Sequence, residues 1–545
     1  MKKFSNPLLT IIFVFALSAL GFSSATNVYI TPNGSSQGAC TTNPQSPAWF
    51  NSTSNWGSGA GQIGPGTTVT ICGTFTGAAG STEFTFQGSG TSGNPVTLRF
   101  DTNTQLNAPY WAPSSGGQGC GGAICMYNRS YITVDGGSNG LIQNTANGDG
   151  LGNQNQSEGI EATSCNNCTI QNLLIQNIYV HPMNGVGSID QTQMRCISFS
   201  GSNWNINNNT MHDAGWCLFQ AYSNGDNNTT ISGNNIYNMD HGWMLATSSA
   251  NSYNNAFFYG NQVHDSANWD ASGCPYHHDG IHTFGTSGSS MSGVYVYNNY
   301  FYGNWGNCPT GFIFVEGGAS STPSHMHSSA WWNNVLIVNS ASPIVNTNGW
   351  FDIASGDSGT QQVYSNTIVG PNNTDNTLCL GMENLSGLTY EDNVISNCGD
   401  PVNISSSTVT VADYNFYGPS CGSMNNCFIW NGSFTGSFTA WKSASGRDSH
   451  SIQSMAPMLN ADGSPQSGSP VVEKGADLSS IASVVLVSLS SDTAKGDTRT
   501  PESRPTGTCL TQGSSSCWDI GAYQYAASAT PPAPAAPNGL TAVVH

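Results

Sequence analysis

Short hydrophobic strands recur along the chain, each built around an asparagine. They read TIQNLLI (169–175), NINNNTM (205–211), ISGNNIY (231–237), FYGNQVH (258–264), VYNNYFY (296–302), WWNNVLI (331–337), VYSNTIV (363–369) and YEDNVIS (390–396). Their markers are Asn172, Asn209, Asn234, Asn261, Asn299, Asn334, Asn366 and Asn393, spaced by 37, 25, 27, 38, 35, 32 and 27 residues. A second set lies between them: GIEA (159–162), CISF (196–199), GWCLF (215–219), GWMLA (242–246), GIHTF (280–284) and GFIFV (311–315). One member of each set makes a turn of a coil with variable insertions. Stacked turns bury a continuous apolar column, and asparagine at each bend can ladder its amide along the axis, since it tolerates the left-handed region and bonds backbone groups. Helical periodicity is absent. The pattern predicts an all-β chain folded as a parallel β-helix, a solenoid.

Strand side chains alternate, so the second set also sorts faces. Aligned on their glycines, Ile160, Ile197, Trp216, Trp243, Ile281 and Phe312 form an inward column, with Leu218, Leu245, Thr283 and Phe314 two residues on. Glu161, Ser198, Cys217, Met244, His282 and Ile313 then face solvent. The column before them, Gly159, Cys196, Gly215, Gly242, Gly280 and Gly311, is expected either to leave a shallow floor for a flat sugar ring or to ease a tight corner.

Composition narrows the partners. Only 8% of the 545 residues are charged, and 11 Lys plus Arg against 30 Asp plus Glu give a net charge of −19. Such a surface does not grip a phosphate backbone, which excludes nucleic acid as a partner. Met1-Lys2-Lys3, the apolar stretch 8–21 and Ser23-Ser24-Ala25 read as a signal peptide over 1–25, and no later stretch suits membrane insertion. The expected location is secreted, free or associated with the cell surface, and the expected state is a monomer. Sixteen cysteines in an exported chain point to disulfides. They fall into neighbouring pairs, Cys40/Cys72, Cys120/Cys125, Cys165/Cys168, Cys196/Cys217, Cys274/Cys308, Cys379/Cys398, Cys421/Cys427 and Cys509/Cys517, as local staples on an elongated coil would.

IGPGTTVTICGTFTG (63–77) followed by GTSGNPVTLRF (90–100) resembles the opening of the pectate-lyase-like right-handed parallel β-helix superfamily. SPVVEKGAD (469–477) through Arg504-Pro505 to WDIGAYQY (518–525) resembles the closing segment called choice-of-anchor Q. The resemblance implies a right-handed parallel β-helix with a capping segment at each end, acting on polysaccharide and often using calcium. It divides the chain into a cap with first strands (26–110), the repeats (111–440), a C-terminal capping or anchor-like segment (441–527) and a Pro/Ala-rich linker (528–545). The architecture hosts many reactions, so chemistry has to be read from residues.

Groups able to move protons are scarce, and they cluster. No lysine stands between Lys3 and Lys442. From 212 to 327 the chain carries His212, His241, His264, His277, His278, His282, His325 and His327, accompanied by Asp213, Asp240, Asp265, Asp270, Asp279 and Glu316. The pairs His212-Asp213, Asp240-His241 and His278-Asp279 sit at equivalent bends of successive turns, about 4.8 Å apart. The expected catalytic group is therefore His278, Asp279, His282, Asp240, His241 and Glu316, with Arg195, His212, Asp213 and His277 binding substrate. Asp240 and Asp279 are candidates for calcium, for paired hydrolytic carboxylates, or for plain turn caps. A His/His/Asp/His metal set is disfavoured, because consecutive strand residues point to opposite sides.

Three functions stay open. A polysaccharide lyase would use a histidine or Arg195 as base, since the coil has no lysine. An inverting glycoside hydrolase would use Asp240, Asp279 or Glu316. A carbohydrate-binding or adhesion protein would use no catalysis.

Overall fold

The computed structural model describes residues 24–525, apart from 115–119, 149, 179–193, 272, 273, 275, 286, 287, 317–325, 339–348, 372–377, 420–426, 479–501, 506–508 and 510. Residues 1–23 of the expected 1–25 signal peptide, the 528–545 linker, His325 and Cys421 lie outside the described residues, while Ser24 and Ala25 are described and bond Pro65 and Gln62. The chain is a right-handed parallel β-helix. Among the described residues 33 strands join one coiled sheet, and nearly every pairing is parallel to the equivalent strand one turn on.

Each turn holds three strands rather than two. In one turn these are Asp226–Ser232, the first half of Asn235–Ala246, and its second half beyond a bend near Asp240. In the next turn an insertion separates Gln262–His264 from His278–Phe284, and it delivers Asp270 and His277 to that bend.

The asparagine ladder forms at the first corner. Asn209, Asn234, Asn261, Asn299, Asn334, Asn366, Asn393 and Asn415 are buried, and from Asn209 to Asn393 each side-chain NH₂ donates to the amide oxygen of the next at 3.0–3.2 Å. The same NH₂ groups donate to a backbone carbonyl of the preceding turn, as Asn299 does to Phe258 at 2.9 Å. The ladder ends on Asp448, which accepts from Asn415 at 3.1 Å. Asn172 is not a rung: its amide bonds Asp135, and the backbone NH of Leu173 meets Asn209 instead. The left-handed conformation belongs to the residue before each rung, such as Asn298 at φ 54° and Asp392 at φ 61°, not to the rung itself.

One apolar core runs the length of the coil. Its inward column on the third face is Ile124, Ile160, Ile197, Leu218, Trp243, Ile281, Ile313, Phe351, Leu380, Val402 and Phe428. Alignment on glycine is thus two residues out at 215–219 and one residue out at 311–315. Leu218 pairs with Trp243, and Trp216 pairs with His241, which puts Trp216 on the outer face, half-buried. Cys217 and Ile313 are core residues, while Phe219 and Phe314 take their expected outward places. Strand register is set by the bulges and bends of the neighbouring turn, which a motif alignment does not see. The glycines make no floor either. A Cβ on Gly242 would stand 2.5 Å from the carbonyl oxygen of Gly280, and one on Gly280 would stand 2.5 Å from that of Phe312 and 2.9 Å from the Phe301 ring. These positions hold glycine because the next turn's backbone and the core leave no room.

Seven of the expected cysteine pairs are bridged among the described residues: Cys40–Cys72, Cys120–Cys125, Cys165–Cys168, Cys196–Cys217, Cys274–Cys308, Cys379–Cys398 and Cys509–Cys517. At the N-terminal end Phe50 packs edge-on against Trp56, Phe84 and Phe86, and Trp56 lies tilted against Phe86. At the other end the helix Phe438–Ser445 sets Phe438 and Trp441 against Phe428. The later segment lies along the side of the coil: Trp518 and Leu478 cover Trp332 and Tyr364, and Ile520 covers Val394 and Phe416.

Candidate functional site

The bend of the third face gathers the histidines and acids. Asp240 and His241 end one approach to the bend; His278 and Asp279 reach it one turn on, where a register shift lets neighbouring residues face the same way. Asp240 is fully buried. Its Oδ2 meets Nδ1 of His241 at 2.7 Å and its Oδ1 meets Nδ1 of His278 at 3.1 Å. His278 reaches with Nε2 to Asp270 at 3.1 Å, and Asp270 in turn accepts from the backbone of Asn307 at 2.8 Å and Cys308 at 3.1 Å. Caught between two carboxylates and buried, His278 braces the site and cannot touch a polymer.

Asp279 is the hub. Its Oδ2 lies 3.0 Å from Nδ1 of His277, 3.1 Å from Nε2 of His241 and 3.4 Å from Nδ1 of His282. The first contact is a hydrogen bond. The other two are close but misaligned, so His241 Nε2, His282 Nδ1 and Asp279 Oδ1 are buried without a hydrogen-bond partner. His282 passes its other nitrogen to Glu316 Oε2 at 3.2 Å. The side chains of His277 and Glu316 are 44% and 51% exposed, whereas Asp240, His241, His278 and Asp279 are sealed; the two exposed side chains are the ones a ligand can reach.

Charge follows the contacts. Burial opposes ionisation of Asp240, yet the charge of His241 and hydrogen bonds from His241 and His278 hold it down at about 2. Burial likewise opposes a charged His241, but Asp240 raises it to about 9. Asp279 is depressed against the pull of burial by its imidazole neighbours. His282 goes the other way: burial lowers it, so it is the neutral ring of the group. Glu316 is lowered by the hydrogen bond from His282.

Aromatic rings frame the opening. His282 is 4.9 Å from Phe314 and 5.5 Å from Phe284 between ring centres, and Trp216 lies 5.5 Å from His241 and 5.4 Å from Phe219. Trp216 and Phe314 were placed inward by the slipped alignment; the pairing of Leu218 with Trp243 and of Ile313 with Ile281 is the signal that turns them outward.

Three expected members stand apart. His212 bonds Asp213 at 2.6 Å and stacks on Tyr237 at 4.4 Å, in a column continued by His264 and Tyr302. Arg195 meets Glu158 at 3.3 Å and Ser198 at 3.1 Å, and lies 3.9 Å over Phe219. Phe219, Met244 and His282 share one outward column, which puts Arg195 about 10 Å from His282 by turn spacing.

The site does not suit calcium, which takes six to eight oxygens. Both oxygens of Asp240 are taken by imidazoles, and Asp279 is surrounded by ring nitrogens. The donor atoms of His241, His277, Asp279 and His282 instead lie within 4.8 Å of one another, a nitrogen-rich set. The bend makes possible what strict strand alternation disfavours.

No family model matches the sequence, the closing segment included, and no curated protein matches it. Among solved structures, the tailspike protein of E. coli bacteriophage HK620 in complex with a pentasaccharide is similar at 11% identity and TM-score 0.37, covering 67% of this chain and 72% of its own. A pectate lyase, Pel9A, is similar at 13% identity and TM-score 0.34, covering 92% and 97%. An alginate lyase from Paenibacillus sp. is similar at 13% identity and TM-score 0.30, covering 75% and 99%. At these scores the likeness extends to the coil and carries no argument about chemistry.

Proposed function

We propose that the chain cleaves a uronate-containing polysaccharide by β-elimination at the bend, with His277 as the base. The observation that carries this reading is the His277–Asp279 pair. Buried, ionised Asp279 holds the Nδ1 proton at 3.0 Å, which leaves Nε2 as the lone-pair nitrogen on a side chain 44% exposed. That nitrogen takes the proton α to the uronate carboxyl. The C–H electrons form the new double bond, the C4–O glycosidic bond breaks, and the proton on His277 passes to the departing oxygen. The positive imidazole of His241 beneath the opening offsets the substrate carboxylate. Trp216, Phe284 and Phe314 offer flat apolar faces to sugar rings.

Inverting hydrolysis finds less support. It needs a carboxylic acid that keeps its proton near neutrality, and Asp240, Asp279 and Glu316 are all lowered. Of the carboxyls pushed up to about 8, Glu158 lies four turns before His282, too far to pair, and Asp352, two turns after it, is buried at 5% exposure.

The test follows ultraviolet absorbance of an unsaturated uronate beside new reducing ends on a panel of acidic and neutral polysaccharides. Both rising together supports elimination. Reducing ends alone would convert the reading to hydrolysis, and neither rising would leave a binding protein.

A further inference from the structure

His282 and His241 each hand one ring nitrogen to a carboxylate. The Nε2 proton of His282 goes to Glu316 at 3.2 Å, and the Nδ1 proton of His241 goes to Asp240 at 2.7 Å. Once the second proton of His241, on Nε2, is displaced, each ring presents its other nitrogen as a lone pair, and both face the same carboxylate oxygen of Asp279, at 3.4 and 3.1 Å. Three acceptors aimed at one point repel unless a positive charge sits among them. A proton on one nitrogen relieves one contact and leaves the other. Each of these three residues also holds a buried polar atom without a hydrogen-bond partner: His241 Nε2, His282 Nδ1 and Asp279 Oδ1.

The surroundings match the way proteins hold metal-binding imidazoles. Such a ring donates its far N–H to a carboxylate, which fixes its tautomer and aims the near nitrogen. Asp240 does this for His241, and Glu316 does it for His282. Asp240 is itself pinned by His278, and His278 by Asp270. His277, exposed and already satisfied by Asp279, lies at the open side.

We infer that His241, Asp279 and His282 form a binding site for a divalent cation that favours imidazole nitrogen, of the zinc class. Two nitrogens and a carboxylate with an open fourth side is a donor set that zinc and cobalt accept and calcium does not. Among the described residues no cysteine is free, so thiolate takes no part. An ion there would add positive charge under the opening where a uronate carboxylate is proposed to lie. The inference itself rests on the donor geometry and stands whether or not the chain cleaves anything.

The test titrates chelator-treated full chain with Zn²⁺, Co²⁺ and Ca²⁺ in the absence of polysaccharide, reading bound metal per chain, the visible absorption of bound Co²⁺ and the shift in Tm. The expected result is one Zn²⁺ or Co²⁺ per chain, a visible cobalt band without a thiolate band, and no response to Ca²⁺. His282→Ala is expected to abolish the site. Glu316→Gln, on a half-exposed side chain that leaves the fold intact, is expected to weaken binding about 10- to 100-fold. A folded wild-type chain that retains neither Zn²⁺ nor Co²⁺ overturns the inference. So does unchanged affinity in His282→Ala or, should that variant fail to fold, in Glu316→Gln. Stoichiometric zinc without any cleavage would sink the lyase reading and leave the metal site standing; cleavage by metal-free protein would do the reverse.

Discussion

Two polar stacks climb the same coil, and they solve opposite problems. The asparagine ladder is closed. Every rung gives its NH₂ to a neighbour and a backbone carbonyl, every amide oxygen is used, and the series ends on Asp448. The histidine–aspartate stack is open. Asp240, His278 and Asp270 satisfy one another, but the chain of contacts stops at Asp279 with three atoms unpaired and two side chains reaching solvent. A buried polar group left without a partner costs about 1–3 kcal/mol, so the ladder stabilises the fold while the second stack stores an unmet demand. The lesson is where to look for function: in the stack whose bonding is incomplete.

The comparison is broken most severely from the ladder side. Asn299→Ala removes the acceptor used by Asn261 and the donor used by Phe258 and Asn334, which is expected to cost about 3–6 kcal/mol. Chemical denaturation followed by circular dichroism checks this, and a loss under about 1 kcal/mol would mean the ladder is ornament. From the other stack, His277→Ala is expected to leave stability within about 0.5 kcal/mol while the rate of unsaturated-uronate release drops about 10²- to 10⁴-fold. Equal loss of stability and activity would contradict the division of labour.

A third expectation concerns carboxyls outside both stacks. Glu158 is raised by burial and by Glu161 from 4.5 to about 8, and Asp352 by burial and by Glu383 from 3.8 to about 8. Between those limits the native chain holds protons that the unfolded chain has released, so stability falls as pH rises from about 5 to about 8. The expected loss is on the order of 2–4 kcal/mol, read as a falling Tm, and Asp352→Asn should flatten part of it. A Tm that rises over that range would show these carboxyls ionised in the fold. The smallest effect is expected at the rim: Trp216→Ala should raise KM for polymer a few-fold and leave kcat nearly unchanged, as loss of a stacking face does.

Much of this was legible in the chain itself. The period of the strands, the asparagine at each corner, the local cysteine pairs and the gathering of histidines with acids all follow from residue type and spacing, because a solenoid places sequence neighbours one turn apart. Asn172 shows the limit: it fits the motif, yet it lies one residue off the ladder because the left-handed residue before each rung, not the rung, makes the corner.

What only the tertiary structure decided is register and bend. Trp216 fits the core pattern by motif and stands on the outer face by pairing with His241. Simple alternation would put Asp279 and His282 on opposite faces of their strand, yet the fold brings both to one point with His241 and His277. Sequence sets which side chains are available, since that is chemistry. Their convergence on a single carboxylate oxygen depends on backbone geometry accumulated from the turns on either side, and no single residue carries that information.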